Sequence, residues 1–304
     1  MTNIRNWVAA MFLVLAGQSA LAQTCSSLPY SLANGNVADA GQVMTNFNYL
    51  LSCVNGVVLR GYVGGLTLSN DTSSPNTAVD TSAGMASSDD ALTLITIGAF
   101  TKSANTSWAL GTGSGCLDSG STLAANTWYH LFVIMRTDTR VVDELCSESA
   151  TAPHLPTPYS EKRRIGSFRT DASSYIMSFS QDGDRFDWLI PYQEFAGAGS
   201  TSPVIIGLKY VPTGVTVEAI LSGAAEDTSP STMYLSSIAQ TAMPVTGLTV
   251  TSGVPIAGSP AFAAFGGFRI ETNTSAQIRY ETNDTTSTWY INANGWVDTR
   301  GRFN

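Results

Sequence analysis

The carboxylates that could do chemistry gather in two places: Asp182, Asp184 and Asp187, and the adjacent pair Asp143 and Glu144. Glycoside hydrolysis needs two carboxyl groups facing one cleft. Asp143 and Glu144 are chain neighbours, which on a strand point to opposite faces. Asp182-Gly183-Asp184 with Asp187 offers oxygen ligands to Ca²⁺, but its spacing departs from an EF-hand loop, and Asp beside Gly is favoured by turn geometry alone. No E-x-D-x-E strand occurs.

The two histidines add little. His130 lies inside an apolar run and reads as a hydrogen-bonded core or edge residue, and His154 sits in the proline-bounded loop Ala152-Pro153-His154-Leu155-Pro156. A serine hydrolase needs a serine, a base and an orienting acid. Asp118-Ser119-Gly120 lacks the glycines of an oxyanion hole, and no G-x-S-x-G elbow is present. Gly111-Thr112-Gly113-Ser114-Gly115 lacks the Lys-Ser/Thr of a phosphate loop. The chain is therefore expected not to be an enzyme, with no catalytic residue, metal or cofactor. Aromatic side chains are the remaining means of recognition, because exposed Trp and Tyr stack on sugar faces or anchor partners. Trp108, Tyr159, Trp188, Tyr192, Tyr290 and Trp296 are the candidate ligand-binding residues.

Composition narrows the partners. Only 12% of residues are charged against 43% hydrophobic, which suits an extracellular β-rich or fibre protein better than a cytosolic enzyme. The net charge of −8 repels phosphate backbones, so nucleic acid is a poor partner. The one basic cluster, Lys162-Arg163-Arg164, reads as a solvated strand entry.

The first 22 residues read as a signal peptide. Arg5 supplies a short positive region, Trp7 to Gly17 an apolar run, and Ala20-Leu21-Ala22 a cleavage site. The run falls short of the roughly 20 apolar residues of a membrane span. The mature chain is expected to begin at Gln23, exported to the periplasm, cell surface or exterior, with Thr24 before Cys25 arguing against a lipid anchor. Four cysteines in such a chain suggest two disulfides, and local pairing favours Cys25–Cys53 and Cys116–Cys146.

One helix stands out. Asp39 with Gln42 reads as a capping box, and Met44, Phe47, Leu51 and Val54 follow at spacings of three and four, widened by Val43 and Leu50. Asn55-Gly56 is a plausible C-cap. The stripe could pack on its own domain or on copies of itself around an axis. Beyond Gly61 the chain reads as strands: Ala91 to Phe100, Trp128 to Arg136 (apolar on both faces), Arg164 to Arg169, Tyr175 to Ser180 and Arg185 to Pro191, with a hairpin at Asp182-Gly183. Val204 to Val211 and Val215 to Leu221 are joined by the turn Pro212-Thr213-Gly214. Loose joints follow at Ser222 to Ser231 and Ser252 to Pro260. Arg269-Ile270-Glu271-Thr272-Asn273 recurs as Arg279-Tyr280-Glu281-Thr282-Asn283, which predicts adjacent strands of a meander.

Two resemblances bear on these elements. Asn126-Thr127-Trp128-Tyr129-His130-Leu131 resembles a strand of concanavalin-like and laminin-G-like jelly rolls. The stretches Leu28 to Leu32, Asn34 to Ala40 and Gln42 to Asn48 resemble an N-terminal element of phage and prophage tail-fibre-type proteins. Gly115 to Asp138, Arg163 to Asp171 and Gly295 to Arg302 resemble segments of prophage structural proteins. The resemblance implies a homotrimeric, fibre-like binding component, from which the signal peptide is the main departure.

The expectation is an all-β chain: an antiparallel jelly-roll-like β-sandwich with one short N-terminal helix and a small C-terminal β unit. Its segments are a signal peptide (1–22), an N-terminal segment with the helix (23–60), the sandwich (61–222), a linker with short strands (223–262) and the C-terminal unit (263–304). Its expected role is non-enzymatic adhesion to a surface glycan or other surface component. The alternatives are a secreted carbohydrate-active enzyme and a purely structural fibre component.

Overall fold

The computed structural model describes residues 27–33, 35, 39–55, 60–226, 231–242, 254–257 and 263–303, with backbone alone for 51–55, 254–257 and 263–265. The signal peptide, the Cys25–Cys53 pairing, Gly56, and the side chains of Leu51 and Val54 lie outside the described residues. The chain divides into two units, Met1–Val57 and Val58–Asn304.

The first unit holds α1 (Ala40–Asn55). Asp39 starts it: its Oδ1 accepts the backbone N–H of Gly41 at 2.6 Å and of Gln42 at 3.3 Å, satisfying donors that a helix start leaves free. Asn46 is buried and exchanges two hydrogen bonds with the backbone of Tyr30 (2.9 and 2.8 Å), which pins the preceding segment to the helix. Met44, Phe47 and Leu50 stand exposed.

The second unit is built of strands. Its first half contains β1 (Val63–Gly65), β2 (Leu68–Asn70), β3 (Ala78–Thr81), β4 (Gly84–Ser87), β5 (Leu94–Ile97), β6 (Phe100–Ser107), β7 (Gly115–Leu117), β8 (Trp128–Met135), β9 (Val142–Ser147) and β10 (Glu161–Arg169). Seven of them form one sheet in the order β10-β8-β9-β7-β6-β3-β2, and β1, β4 and β5 form a second. Every residue of β8 is buried, as its two-sided apolar sequence predicts: β5 lies against β8 and β9, while Phe132 and Ile134 join a separate apolar cluster with Leu145 and Tyr159. The seven-stranded sheet curls until its edges nearly meet. A Cβ on Gly166 of β10 would come within 2.5 Å of the Leu68 side chain of β2, so the glycine lets these two strands approach closely.

That sheet is mixed where an antiparallel one was expected, since β6–β7 and β7–β9 pair in parallel. The disulfide Cys116–Cys146, expected from local spacing, crosses from β7 to β9. It ties a three-residue, fully buried strand to its neighbour.

The remaining strands are β11 (Phe179–Asp182), β12 (Arg185–Ala198), β13 (Val204–Gly207), β14 (Glu218–Glu226), β15 (Thr232–Ser237), β16 (Val254–Ala257), β17 (Ala263–Glu271), β18 (Gln277–Thr282) and β19 (Thr288–Val297). They form two sheets, β11-β12-β19-β14-β17 and β13-β18-β15-β16. The Asp182-Gly183 hairpin joins β11 to β12 as read, with Gly183 at φ +58°. The repeated motif does not make adjacent strands. Its first copy ends β17, paired with β14, and its second lies in β18, between β13 and β15. Between the copies the Asn273 side chain caps a turn, accepting the N–H groups of Ser275 and Gln277. Strands β13 and β14, expected to be joined as a tight pair, likewise lie in different sheets. Residues 263–303 are woven through the same sheets as earlier segments, with β19 running between β12 and β14.

One core runs from Val63 to Trp296. At its centre Trp128 of β8 meets Trp296 of β19 (ring centroids 5.3 Å) and Trp188 of β12 (5.9 Å), and Phe186 stacks on Trp296 at 5.0 Å. These contacts join the mixed sheet to the five-stranded one.

Closing a loop of 30 residues is worth about 3–4 kcal/mol in the chain-entropy model. Replacing Cys116 and Cys146 together by Ala should therefore lower unfolding free energy by about 3 kcal/mol in urea titrations, with β7 the first segment to lose amide-exchange protection. Unchanged stability would show that hydrogen bonding and packing alone hold β7.

Candidate functional site

A cleft of about 800 Å³ opens where β10, the 213–217 turn and the C-terminal segment 297–301 converge. Its polar wall comes from Arg163, Arg164, Asp298 and Arg300, all buried, with Arg60, Thr151 and Thr216 exposed at the mouth. Lys162-Arg163-Arg164 is thus not the solvated strand entry that the sequence suggested. The strand carries both arginines under the C-terminal turn, where carboxylates and carbonyls replace the water they lose.

A β-bulge makes this possible. Register slips between Arg164 and Gly166, so that Arg164 pairs with Phe132 while Ser167 pairs with His130. Residues three apart on a regular strand face opposite sides; the extra residue puts Arg164, Ser167 and His130 on one side. Arg164 then makes a two-pronged ion pair with Asp298 at 2.6 and 2.7 Å and donates to Ser167 Oγ at 3.2 Å.

The turn after β19 positions Asp298. Its Oδ1 accepts the N–H of Arg300 at 2.7 Å, and the Arg302 N–H bonds to the Thr299 carbonyl at 3.0 Å. Arg300 reaches Asp184 at 3.1 Å, and Arg302 bonds the other oxygen of the same carboxylate. Arg163 donates to the Arg300 carbonyl at 2.7 Å, while its buried Nε has no partner among the described residues. Gly301, at φ +69°, lies against this guanidinium.

Burial pushes the Asp298 carboxyl up, but the Arg164 guanidinium outweighs it and holds the group below the ordinary carboxylate value. Arg164, disfavoured by burial, is held above its usual value by the same partner. Burial pulls Arg163 down, and Asp89 only partly opposes that. His130 is driven down to about 3 by burial, then by the Arg164 charge, and so stays neutral. Ser167 Oγ accepts from Arg164 and lies 2.8 Å from His130 Nδ1. Both Ser167 and His130 are buried.

The sequence-predicted residues scatter around this cleft rather than lining it. Trp296, Trp188 and Tyr159 are buried, so their rings serve the core and cannot stack on a ligand. Tyr192 is half-buried, stacked on Tyr210 at 4.7 Å, and Tyr290 is half-buried on β19. Trp108, half-buried against Tyr159, borders a smaller groove of about 390 Å³ with Asp118, His154 and Pro156. Asp184 and Asp187 are engaged by arginines, Asp187 by Arg185 at 2.7 Å, and no group of three metal-ligating side chains occurs among the described residues. Arg163, Arg300 and Asp298 went unrecognised in the sequence. The only available signal was the density of charge in Asp298-Thr299-Arg300-Gly301-Arg302 within a charge-poor chain.

Removing one partner of a buried ion pair typically costs about 3–5 kcal/mol, because the other charge is left uncompensated. Asp298→Asn should lose that much stability, and Arg164→Met combined with Asp298→Leu should lose less than either single change. His130 supplies a pH signature. Its folded value lies below its unfolded one, so its contribution is present above about pH 6.5 and is lost as pH falls toward 3. Denaturant titrations across that window should show stability falling more steeply in the wild type than in His130→Gln.

No protein-family model matches this chain, and no curated protein matches it.

Proposed function

We propose that the chain is an exported, non-enzymatic adhesion protein, a lectin-like β-sandwich in the jelly-roll manner, that binds a surface glycan in the arginine-walled cleft. The observation that carries this reading is the cleft itself: about 800 Å³, with hydroxyls and guanidinium groups at its mouth and the buried, unpartnered Nε of Arg163 in its wall. Side chains of Arg, Asp, Glu and Thr suit vicinal hydroxyls, since guanidinium and carboxylate each engage two oxygens at once. The disulfide fits an oxidising compartment, and none of the described helices is long and apolar enough to cross a membrane.

Glycan-array screening followed by calorimetry tests the site. Arg60→Glu, at the exposed mouth, should weaken binding about tenfold, equivalent to about 1.4 kcal/mol, while Trp108→Ala leaves it unchanged. The opposite pattern would move the site to the smaller groove. No binding to any neutral or acidic glycan would overturn the proposal.

Assembly is the second part of the reading. Met44, Phe47 and Leu50 expose an apolar stripe on α1, and three copies packed through it would form a trimer that gains avidity from weak single sites. Light scattering should give the wild type a trimeric mass and Met44→Asp with Phe47→Asp a monomeric one. A monomeric wild type removes the trimer from the proposal.

A further inference from the structure

A second cluster of charge lies away from the cleft, sealed from solvent between β6 and β9. Lys102 Nζ stands 2.8 Å from Asp143 Oδ1, and neither side chain has any exposed surface. The aromatic rings of Phe100 and Trp108 each lie 5.7 Å from the amine. Gly111 N–H donates to Asp143 Oδ2 at 2.8 Å, Glu144 N–H to Oδ1 at 2.7 Å, and Lys102 Nζ donates to the Ala109 carbonyl at 2.7 Å and that of Gly111 at 3.1 Å. Glu144, the next residue, is fully buried, and the Thr81 hydroxyl is the polar side chain that offsets the burial of its carboxyl.

We propose that Lys102 and Asp143 are a site of covalent self-modification, in which the amine and the carboxyl condense to an intramolecular isopeptide bond. The pair meets the requirements of amide formation without an outside reagent. The reactants are held in contact, which removes the entropic barrier of a bimolecular step, and water is excluded from the product.

The step balances internally. It begins with proton transfer across the ion pair, which converts ammonium and carboxylate to amine and carboxylic acid. The Nζ lone pair attacks Asp143 Cγ, the C–N bond forms, and Oδ1 leaves as water, carrying the acid proton and one taken from Nζ. No oxidant, metal or cofactor takes part. Burial pulls the Lys102 amine down, against the opposing pull of Asp143. Burial also pushes the Glu144 carboxyl up to about 8, against the opposing pull of the Thr81 hydroxyl and Lys102.

The groups around the pair also fit the product. Oδ2, the oxygen that stays, already accepts the Gly111 N–H, which would stabilise negative charge developing on it during attack. The amide N–H that remains on Lys102 has the Ala109 carbonyl as its acceptor. The bond would tie β6 to β9 across β7, beside the Cys116–Cys146 disulfide between β7 and β9. Three neighbouring strands, two of their pairings parallel, would then be covalently joined.

Peptide mapping of the full chain, denatured, reduced and digested with trypsin, decides the matter. The expected result is no cleavage after Lys102 and a linked pair of peptides, one bearing Lys102 and the other Asp143. The pair's mass should be about 18 Da below the sum of its parts, the loss of one water. Lys102→Met and Asp143→Ala should each abolish the linked species, and the wild type alone suffices if either variant fails to fold. Cleavage after Lys102, with both peptides at full mass, would overturn the proposal and leave the pair as a buried ion pair.

Discussion

A buried charge must be matched inside the protein, and that constraint organises the second unit of this chain. Arg164 can occupy the interior only because Asp298 meets it with both oxygens, and Asp298 is available only because the turn after β19 is folded back over β10. Ser167 and His130 complete the arrangement with neutral hydrogen bonds. The pair links residues 134 positions apart, so one electrostatic contact defines where the end of the chain must lie. The cleft follows from it: the same turn that brings Asp298 to Arg164 also brings Arg300 and Gly301 over Arg163.

The hydrophobic counterpart of this joint is the tryptophan cluster. Trp128, Trp188 and Trp296 come from three strands in two sheets, and their indoles fill the space between them. Trp128 and Trp188 place their N–H groups on the carbonyls of Lys209 and Tyr210, so the loop after β13 is fastened to the core by side chains. Large aromatic area and a single donor on each ring suit such a seam, where apolar surface must be covered without stranding backbone carbonyls. Rings committed in this way are lost to ligand recognition, which leaves polar side chains to form the cleft.

Lys102 and Asp143 repeat the theme at a second place, in drier surroundings. There the matching groups are backbone atoms of the 109–111 turn and one carboxylate, and Glu144 is buried beside them. A neutral Glu144 is the physical resolution, since an isolated buried carboxylate is far costlier than an isolated buried acid.

Local signals carried part of the fold in plain sight. The Asp39 cap of α1, the two-sided apolar run of β8, the Asp182-Gly183 hairpin and the nearness of Cys116 to Cys146 are properties of short stretches, and each acts through interactions a few residues long or through one loop closure. Strand partners are another matter. A strand's sequence states which face is apolar, but any strand with a matching face and register can sit beside it. The two copies of the repeated motif look like neighbours for that reason, yet they lie in different sheets. The cleft was illegible for the same cause. Arg163 and Arg164 read as solvated because a charged pair on an isolated strand is solvated; only the long-range approach of Asp298, Arg300 and the 213–217 turn makes burial cheaper than exposure. Short-range chemistry was thus written in the residues themselves, while the burial of Arg163 and Arg164 was decided by contacts with the C-terminal turn more than a hundred residues away.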